Sequence, residues 1–255
     1  MTTAQRLSVL NEEIISCRKC PRLVRYREKV ARTKRRAYRD WTYWGRPVPG
    51  FGDPRAELLI IGLAPAAHGA NRTGRMFTGD RSGEFLYRLL HRAGLANQPN
   101  STHRSDGLGL RNTYITAAIR CAPPANRPLP GEILNCRPYL ETELELLRPR
   151  AVLALGRIAF DAYLRLLQER GVIAARSAYP FSHGASYPLP GGPRLFASYH
   201  PSQQNTQTGR LTPAMFIRVL GKIRRYLDSK PTKPSPCTET RAAIRGGSAQ
   251  TGLKA

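Results

Sequence analysis

The sequence predicts an α/β fold, a three-layer α/β/α arrangement in which helices cover both faces of a four-stranded parallel sheet. Short apolar runs alternate with amphipathic segments along the chain, as is typical of parallel strands joined by helical crossovers. The chain has 255 residues, of which 41% are apolar. That length and composition suit one domain with a substantial core.

Four apolar runs bounded by polar residues are predicted to be buried parallel strands. They are Glu57 to Leu63, Asn112 to Ile119, Ala151 to Leu155 and Leu195 to Tyr199. Five segments carry apolar residues at helical spacing and are predicted to be helices. They are Thr3 to Ser16, Ser82 to Ala93, Gly131 to Leu147, Ile158 to Glu169 and Pro213 to Leu227. Since ligands of such sheets bind beyond the carboxyl ends of the strands, the loops that follow the four strands are the candidate sites.

The organisation of the chain predicts one folded domain over residues 1–228 and a disordered tail over residues 229–255. The tail is rich in Lys, Pro, Ser, Thr and Gly and has few apolar residues with which to form a core. No apolar run is long enough to cross a membrane, and the N-terminus lacks the pattern of a secretory signal. We therefore expect a cytoplasmic protein, with a monomer as the default state.

The charge of the chain indicates a polyanionic partner. Lys and Arg number 41 against 17 Asp and Glu, a net charge of +24. DNA, RNA and acidic membrane surfaces would all attract such a protein. A very basic stretch from Arg18 to Arg39 carries much of this charge, and an aromatic, glycine-rich segment from Trp41 to Gly52 follows it.

Four of the five cysteines are spaced as a candidate metal site. Cys17 and Cys20 form a Cys-x-x-Cys pair, and Cys121 and Cys136 lie far downstream. A cytoplasmic chain rarely uses such cysteines for disulfides, so either zinc or a [4Fe–4S] cluster is expected. Ordinary buried thiols, or a redox pair at the first two cysteines, are the alternatives.

Two loops near the first strand contain candidate pocket residues. Gly62 to Gly69 holds small residues that allow a ligand to approach the backbone closely. Gly74 to Gly83 contains Phe77, which can stack on a base, and Asp80, which can orient water. The structural alternatives are an ordinary turn, a core phenylalanine and a helix-capping aspartate.

The loops after the second and fourth strands carry the remaining candidates. Asn126 lies between prolines and offers a donor and an acceptor, which suits the edge of a pyrimidine. His200 follows a strand end and can donate a hydrogen bond to an oxygen that gains negative charge. A turn residue and a structural histidine are the alternatives.

These loops together resemble motifs of the uracil-DNA glycosylase superfamily, specifically of the family 5, or type b, enzymes. The matching motifs, in order, are GLAPAAHG (62–69), GRMFTGDRSG (74–83), RCAPPANRP (120–128) and HPSQQNT (200–206). The spacing of the four cysteines also matches. The resemblance extends from about Leu7 to Leu227.

The resemblance implies the α/β/α glycosylase fold, a structural [4Fe–4S] cluster and the removal of uracil from DNA as the first step of base excision repair. Type b enzymes are expected to accept other deaminated bases such as hypoxanthine. The implied metal ligands are Cys17, Cys20, Cys121 and Cys136. The implied substrate-binding residues are Ala64, Pro65, Ala66, Ala67, Phe77, Asn126 and Gln203, and His200 is implied to be catalytic. A location in the cytoplasm with the nucleoid follows from the DNA substrate.

The first loop departs from the best-known pattern of the superfamily. The main uracil enzymes carry an aspartate two residues after the glycine, where this chain has Ala64, and the stretch Gly62 to Gly69 contains no carboxylate. Asp80 is therefore the predicted catalytic carboxylate that orients water. Three alternatives remain: a damage-sensing iron–sulfur module without catalysis, an iron–sulfur electron carrier, and a glycosylase restricted to uracil.

Overall fold

A six-stranded sheet forms the middle layer of the computed structural model, which describes residues 1–229. The strands are β1 (Phe51–Gly52), β2 (Leu58–Gly62), β3 (Thr113–Ala117), β4 (Ala151–Leu155), β5 (Ser186–Tyr187) and β6 (Arg194–Ser198). Their order across the sheet is β1-β3-β2-β4-β6-β5. The four central strands are parallel, as predicted. The sheet is wider than predicted, because β1 and β5 add antiparallel edges of two residues each.

Eight α-helices surround this sheet in the described part of the chain. They are α1 (Thr3–Ser16), α2 (Pro21–Thr33), α3 (Ala70–Thr73), α4 (Arg81–Arg92), α5 (Pro130–Leu147), α6 (Arg157–Glu169), α7 (Gln203–Gln207) and α8 (Pro213–Asp228). All five predicted helices are present, with ends that differ from the prediction by no more than one residue. The short helices α3 and α7 lie within two of the candidate loops.

Alternate residues of the strands point into two separate apolar layers. Leu58 and Ile60 of β2 pack with α4 and α8 on one face of the sheet. Leu59 and Ile61 pack with α1, α5 and α6 on the other. All five residues of β2 are buried, which explains its uninterrupted apolar run. The three-layer α/β/α prediction is confirmed.

The basic stretch from Arg18 to Arg39 contains helix α2, which the sequence analysis did not predict. Pro21 occupies the first position of this helix, where its missing N–H costs nothing. Leu23, Val24 and Val30 form its buried side, together with the charged residue Arg27. The buried arginine interrupts the apolar pattern, so the helix resembles a solvated basic segment in the sequence.

The last helix, α8, ends at Asp228. Apart from Ser229, the predicted disordered tail lies outside the described residues. Within residues 1–229, none of the helices has the length and hydropathy that a membrane crossing requires.

Candidate active site

The candidate site lies beyond the C-terminal ends of the four parallel strands. Strands β2, β3, β4 and β6 end at Gly62, Ala117, Leu155 and Ser198. Because the strands are parallel, the loops that follow them meet at this one edge. The predicted catalytic and base-binding residues all lie in three of these loops.

Five of the predicted residues line one cavity of about 760 Å³: Ala66, Ala67, Asp80, Asn126 and Gln203. A second wall of this cavity comes from the basic N-terminal segment, which the sequence analysis did not assign to the site. That wall consists of Tyr26, Arg35, Ala37 and Tyr38. Ala64 instead packs against the buried cluster that contains three of the cysteines, and Pro65 is buried. Neither is among the residues that line the cavity.

Asp80 both caps helix α4 and lines the cavity. Its Oδ1 accepts a hydrogen bond of 3.0 Å from the amide of Gly83, so Asp80 does cap the helix, as the structural alternative proposed. Its Oδ2 lies directly over Gly69, where an added Cβ would be only 1.9 Å away. Burial raises the pKa of the Asp80 carboxyl above its usual value, while the bond from the Gly83 amide opposes that rise. The carboxylate is thus fixed at one oxygen and positioned by a glycine at the other.

Phe77 and His200 form a pair beside this cavity. Their ring centroids are 5.8 Å apart, and the rings are tilted by 31°. The Phe77 backbone has a left-handed φ of 52°, and its ring lies over Gly62, where a Cβ would come within 2.9 Å. Burial lowers the pKa of His200 to about 4. The imidazole is therefore neutral at pH 7 and can act as a hydrogen-bond donor.

The loop after β6 is held in place by Asn205. Its amide nitrogen Nδ2 donates a hydrogen bond of 2.8 Å to the backbone oxygen of His200. Its own backbone N–H is capped by the Ser202 hydroxyl at 3.4 Å. Gln203 and Gln204 at the start of α7 are exposed at the mouth of the cavity. Helix α7 thus presents the amide side chains of Gln203 and Gln204, and Asn205 ties this helix to the backbone of His200.

Asn126 lines the cavity from an exposed position. It is exposed, and it closes a short 3-10 turn, Pro124–Asn126. Ala125 and Asn126 both adopt left-handed φ angles, of 51° and 54°. Such angles are uncommon outside glycine, and asparagine tolerates them better than most residues. The stiffness that the flanking prolines predict stays a prediction.

A second hollow, of about 390 Å³, adjoins His200 between β4 and β6. Arg157 and Arg210 line it, and both are held against aromatic rings. The guanidinium carbon of Arg157 lies 5.6 Å from the centre of the Phe181 ring, and that of Arg210 lies 4.7 Å from the Tyr199 ring. Because stacking leaves the N–H donors of arginine available, both side chains can meet the phosphates of a nucleic acid.

The four predicted metal ligands lie in one region behind the loop that carries Ala64. Cys20, Cys121 and Cys136 are buried together, and Cys17 is partly buried. Burial, reinforced by the neighbouring thiols, raises the pKa of Cys121 to about 12 and that of Cys136 to about 11. Within residues 1–229, no three His, Cys, Asp or Glu side chains are placed to hold a single metal ion.

Arg27 tests whether an anionic group would fit among these cysteines. It is only 2% exposed and has no carboxylate partner among the described residues. Its Nη1 lies 2.8 Å from Cys121 Sγ, and its Nη2 donates to the backbone oxygen of Cys17 at 3.3 Å. Its buried Nε has no partner. A buried cation is costly without a counter-charge, and a group held by four thiolates would supply one. The residues therefore fit an iron–sulfur cluster.

Arg72 links the basic segment to the floor of the cavity. Its guanidinium carbon lies 3.9 Å from the centre of the Tyr38 ring and 4.1 Å from that of the Trp41 ring. The same group donates hydrogen bonds to the backbone oxygens of Gly79 and His68, at 2.7 and 2.8 Å. This contact is not predicted from the sequence, in which the basic, aromatic composition of the segment is the only signal for it.

The fold and this edge of the sheet define the class of protein, and comparison with known families agrees with them. The family model for the uracil DNA glycosylase superfamily matches residues 49–224, more than half of the chain. The matched range contains the loops with Asp80, Asn126 and His200.

Curated relatives narrow this class. A type-5 uracil-DNA glycosylase of Thermus thermophilus is 56% identical over 215 residues, which are 84% of this chain and 95% of the relative. The type-5 enzyme of Mycobacterium tuberculosis is 57% identical over 218 residues, 85% of this chain and 80% of the relative. That of Mycobacterium leprae is 58% identical over 208 residues, 81% and 89% of the two chains. The chain belongs to the type-5 uracil-DNA glycosylase family.

Proposed function

We propose that this protein hydrolyses the N-glycosidic bond of uracil, and of other deaminated bases such as hypoxanthine, in DNA and leaves an abasic site. The observation that carries the proposal is the single cavity lined by Asp80, Asn126 and Gln203, next to the Phe77–His200 pair. The names of the type-5 relatives support uracil as the base. The net charge of +24 supports DNA as the partner.

Extrusion of the target base comes first, because a stacked base is out of reach of any side chain. It costs a few kcal/mol, and less at a mismatch such as U·G. The segment from Pro201 to Thr206, with Gln203 and Gln204 exposed, would enter the minor groove and fill the gap. Arg157 and Arg210 would hold the backbone phosphates beside His200.

In the pocket, Phe77 would stack on the extruded base, while Asn126 and the backbone of Ala66 and Ala67 would contact its polar edge. As the bond breaks, the electron pair of the C–N bond leaves with the base, and positive charge develops on the sugar. The neutral imidazole of His200 would donate a hydrogen bond to the base oxygen that gains negative charge. Asp80 would stabilise the cationic sugar and orient water for attack on the sugar carbon. The proton that the water loses would neutralise the base anion, which leaves as the free base.

Small side chains in the first loop support a broad range of bases. The stretch Gly62 to Gly69 contains no carboxylate, and Ala66 and Ala67 line the cavity where bulkier residues would narrow it. A route that relies on stabilising charge rather than on a strong base is less sensitive to the identity of the leaving base. Both features would allow a purine such as hypoxanthine.

We further propose that Cys17, Cys20, Cys121 and Cys136 hold a [4Fe–4S] cluster, for which buried Arg27 supplies a counter-charge. Four thiolates are the usual ligands of such a cluster. When bound, the cluster would serve as a structural brace and would take no part in hydrolysis. Cys20 is the residue immediately before helix α2, so its ligation would fix the start of the helix that leads to the cavity wall.

The test is a cleavage assay on duplexes that carry one U·G pair or one hypoxanthine, followed by alkali to break any abasic site. Wild type should cleave both, and His200→Ala should lose most of the activity on both. Cleavage of uracil alone would restrict the proposal to uracil. No cleavage by an iron-loaded protein that still binds the duplex would refute it in favour of a damage-sensing module.

A further inference from the structure

A hollow of about 770 Å³ lies near the N-terminal ends of the parallel strands, opposite the candidate active site at their C-terminal ends. Arg150, just before β4, and Arg194, the first residue of β6, line this basal hollow. His200 lies past the other end of β6. At about 3.3 Å per strand residue, the five-residue strands place the two sites roughly 17 Å or more apart. The proposed glycosylase reaction therefore leaves the basal hollow unused.

The floor of the basal hollow is apolar. Leu166 and Leu167 of α6 are buried there, and Leu144 and Val172 are half-buried beside them. Three prolines also contribute to the wall: Pro149, Pro190 and Pro193. Apolar surface of this kind gains free energy when an aliphatic or aromatic side chain covers it.

Four arginines form the rim, and no lining residue is acidic. Two of them already have carboxylate partners: Arg150 pairs with Glu57, and Arg170 with Glu145. The other two have none within residues 1–229. Arg194 donates only to a serine hydroxyl, and Arg148 is exposed at the C-terminal end of α5. Arginine binds carboxylates with two parallel hydrogen bonds, so this rim is suited to acidic groups.

Tyr163 also belongs to the wall of the hollow. Its side chain is only 1% exposed and lines the hollow. Burial alone raises the pKa of its hydroxyl, with no hydrogen-bonding neighbour contributing. The hydroxyl makes no hydrogen bond within residues 1–229 and is not among their buried unpaired atoms, so a ligand in the hollow can accept from it.

We propose that the basal hollow binds an acidic peptide segment of another protein. An apolar side chain of the peptide would lie on the leucine floor, and its carboxylates would meet Arg148 and Arg194. A peptide main-chain or carboxylate oxygen would accept from the Tyr163 hydroxyl. Duplex DNA has phosphates for the rim but no aliphatic group for the floor. The chain's own residues 230–255 carry five Lys or Arg against one Glu, so the same rim would repel them.

The test is fluorescence anisotropy of the full-length protein with three labelled peptides of equal length. The first combines Asp and Glu with Leu and Phe, the second has the same charges with Ser for the apolar residues, and the third has Lys for the acids. Only the first should bind. The double variant with Arg148→Glu and Arg194→Glu should weaken it by about a hundredfold, as expected for two charged hydrogen bonds.

Two matched variants sharpen the result. Tyr163→Phe removes only the hydroxyl and should weaken the peptide about threefold to tenfold, the worth of one neutral hydrogen bond. Arg92→Glu makes the same charge change at an exposed arginine of α4 outside the hollow and should leave binding unchanged. Uracil excision by the Arg148, Arg194 and Tyr163 variants should stay at the wild-type level, which separates this proposal from the glycosylase proposal.

Three outcomes would overturn the proposal. Equal binding of the serine peptide would mean that charge alone is responsible. Weaker duplex binding by the Arg148 and Arg194 variant, but not by Arg92→Glu, would mean that the rim contacts DNA instead. Failure of the first peptide to bind at all would mean that the hollow takes no acidic partner.

Discussion

Gly69 leaves the space that the Asp80 carboxylate occupies, so Gly69→Ala tests the placement of that carboxylate without altering any polar group. A Cβ at residue 69 would lie 1.9 Å from Asp80 Oδ2, whereas ordinary contact begins at 3.4 Å. The carboxylate must therefore move by about 1.5 Å. It cannot simply rotate away, because its other oxygen is bonded to the Gly83 amide.

The expected loss is large. A misplacement of about 1 Å in a catalytic group can lower the rate roughly a hundredfold. We therefore expect Gly69→Ala to lower the single-turnover rate of uracil excision by about a hundredfold or more. Stability should fall by only about 1 kcal/mol, the usual worth of a perturbed helix cap.

The assay is single-turnover cleavage of a U·G duplex, with Gly131→Ala as the matched control. Gly131 has open space around its missing side chain and does not contact the cavity. In an Asp80→Asn background, Gly69→Ala should cost little more, since the group it displaces is already inactive. A rate for Gly69→Ala within a few fold of wild type would refute the assignment of Asp80 to the reaction.

Three further predictions concern the groups around this carboxylate. Asp80→Asn keeps the helix cap but removes the charge, so it should abolish the acid limb of the pH profile of the excision rate. In wild type that limb should lie above the ordinary carboxyl pKa of 3.8, because burial raises the pKa of Asp80. His200→Ala should lower the excision rate about a hundredfold to a thousandfold, the cost of one donor to a developing oxyanion. With the pKa of His200 lowered to about 4, the wild-type rate should show no titration near pH 6.5, and a fall in rate above that pH that disappears in His200→Ala would contradict the neutral-donor role. Arg27→Met should lower the iron retained per chain in air, whereas Arg18→Met, which removes an exposed guanidinium from the same segment, should not; equal iron retention in both would count against the counter-charge role.

Most of the fold could be predicted because the parallel strands are buried on both faces. That burial leaves uninterrupted apolar runs such as Leu58–Gly62, which periodicity detects. The edges β1 and β5 could not be found in this way, since each has two residues that are only half-buried. Helix α2 was missed for a different reason. Its inward side includes Arg27, whose guanidinium contacts Cys121, 94 residues away in the chain.

The candidate site was predictable to the extent that it consists of strand ends. Asp80, Asn126 and His200 each lie in a loop after a predicted strand, and parallel pairing brings those loops together. Contacts between loops leave no trace in local composition. Gly69 lies against Asp80, and Gly62 lies against Phe77. These contacts depend on tertiary packing, and no fixed spacing in the sequence predicts them.

The N-terminal segment connects the cysteine region to the cavity, and this connection would give the proposed cluster a structural role in an enzyme whose hydrolysis does not involve it. Helix α2 starts directly after Cys20, and the segment beyond it supplies Arg35 and Tyr38 to the cavity wall. At the far end, Tyr38 and Trp41 pack against Arg72 of helix α3. The segment is thus fixed at both ends, by the cysteines and by this aromatic enclosure. Because so basic a segment would repel itself without such ties, loss of the proposed cluster should loosen the cavity wall. The sheet that carries His200 should remain folded.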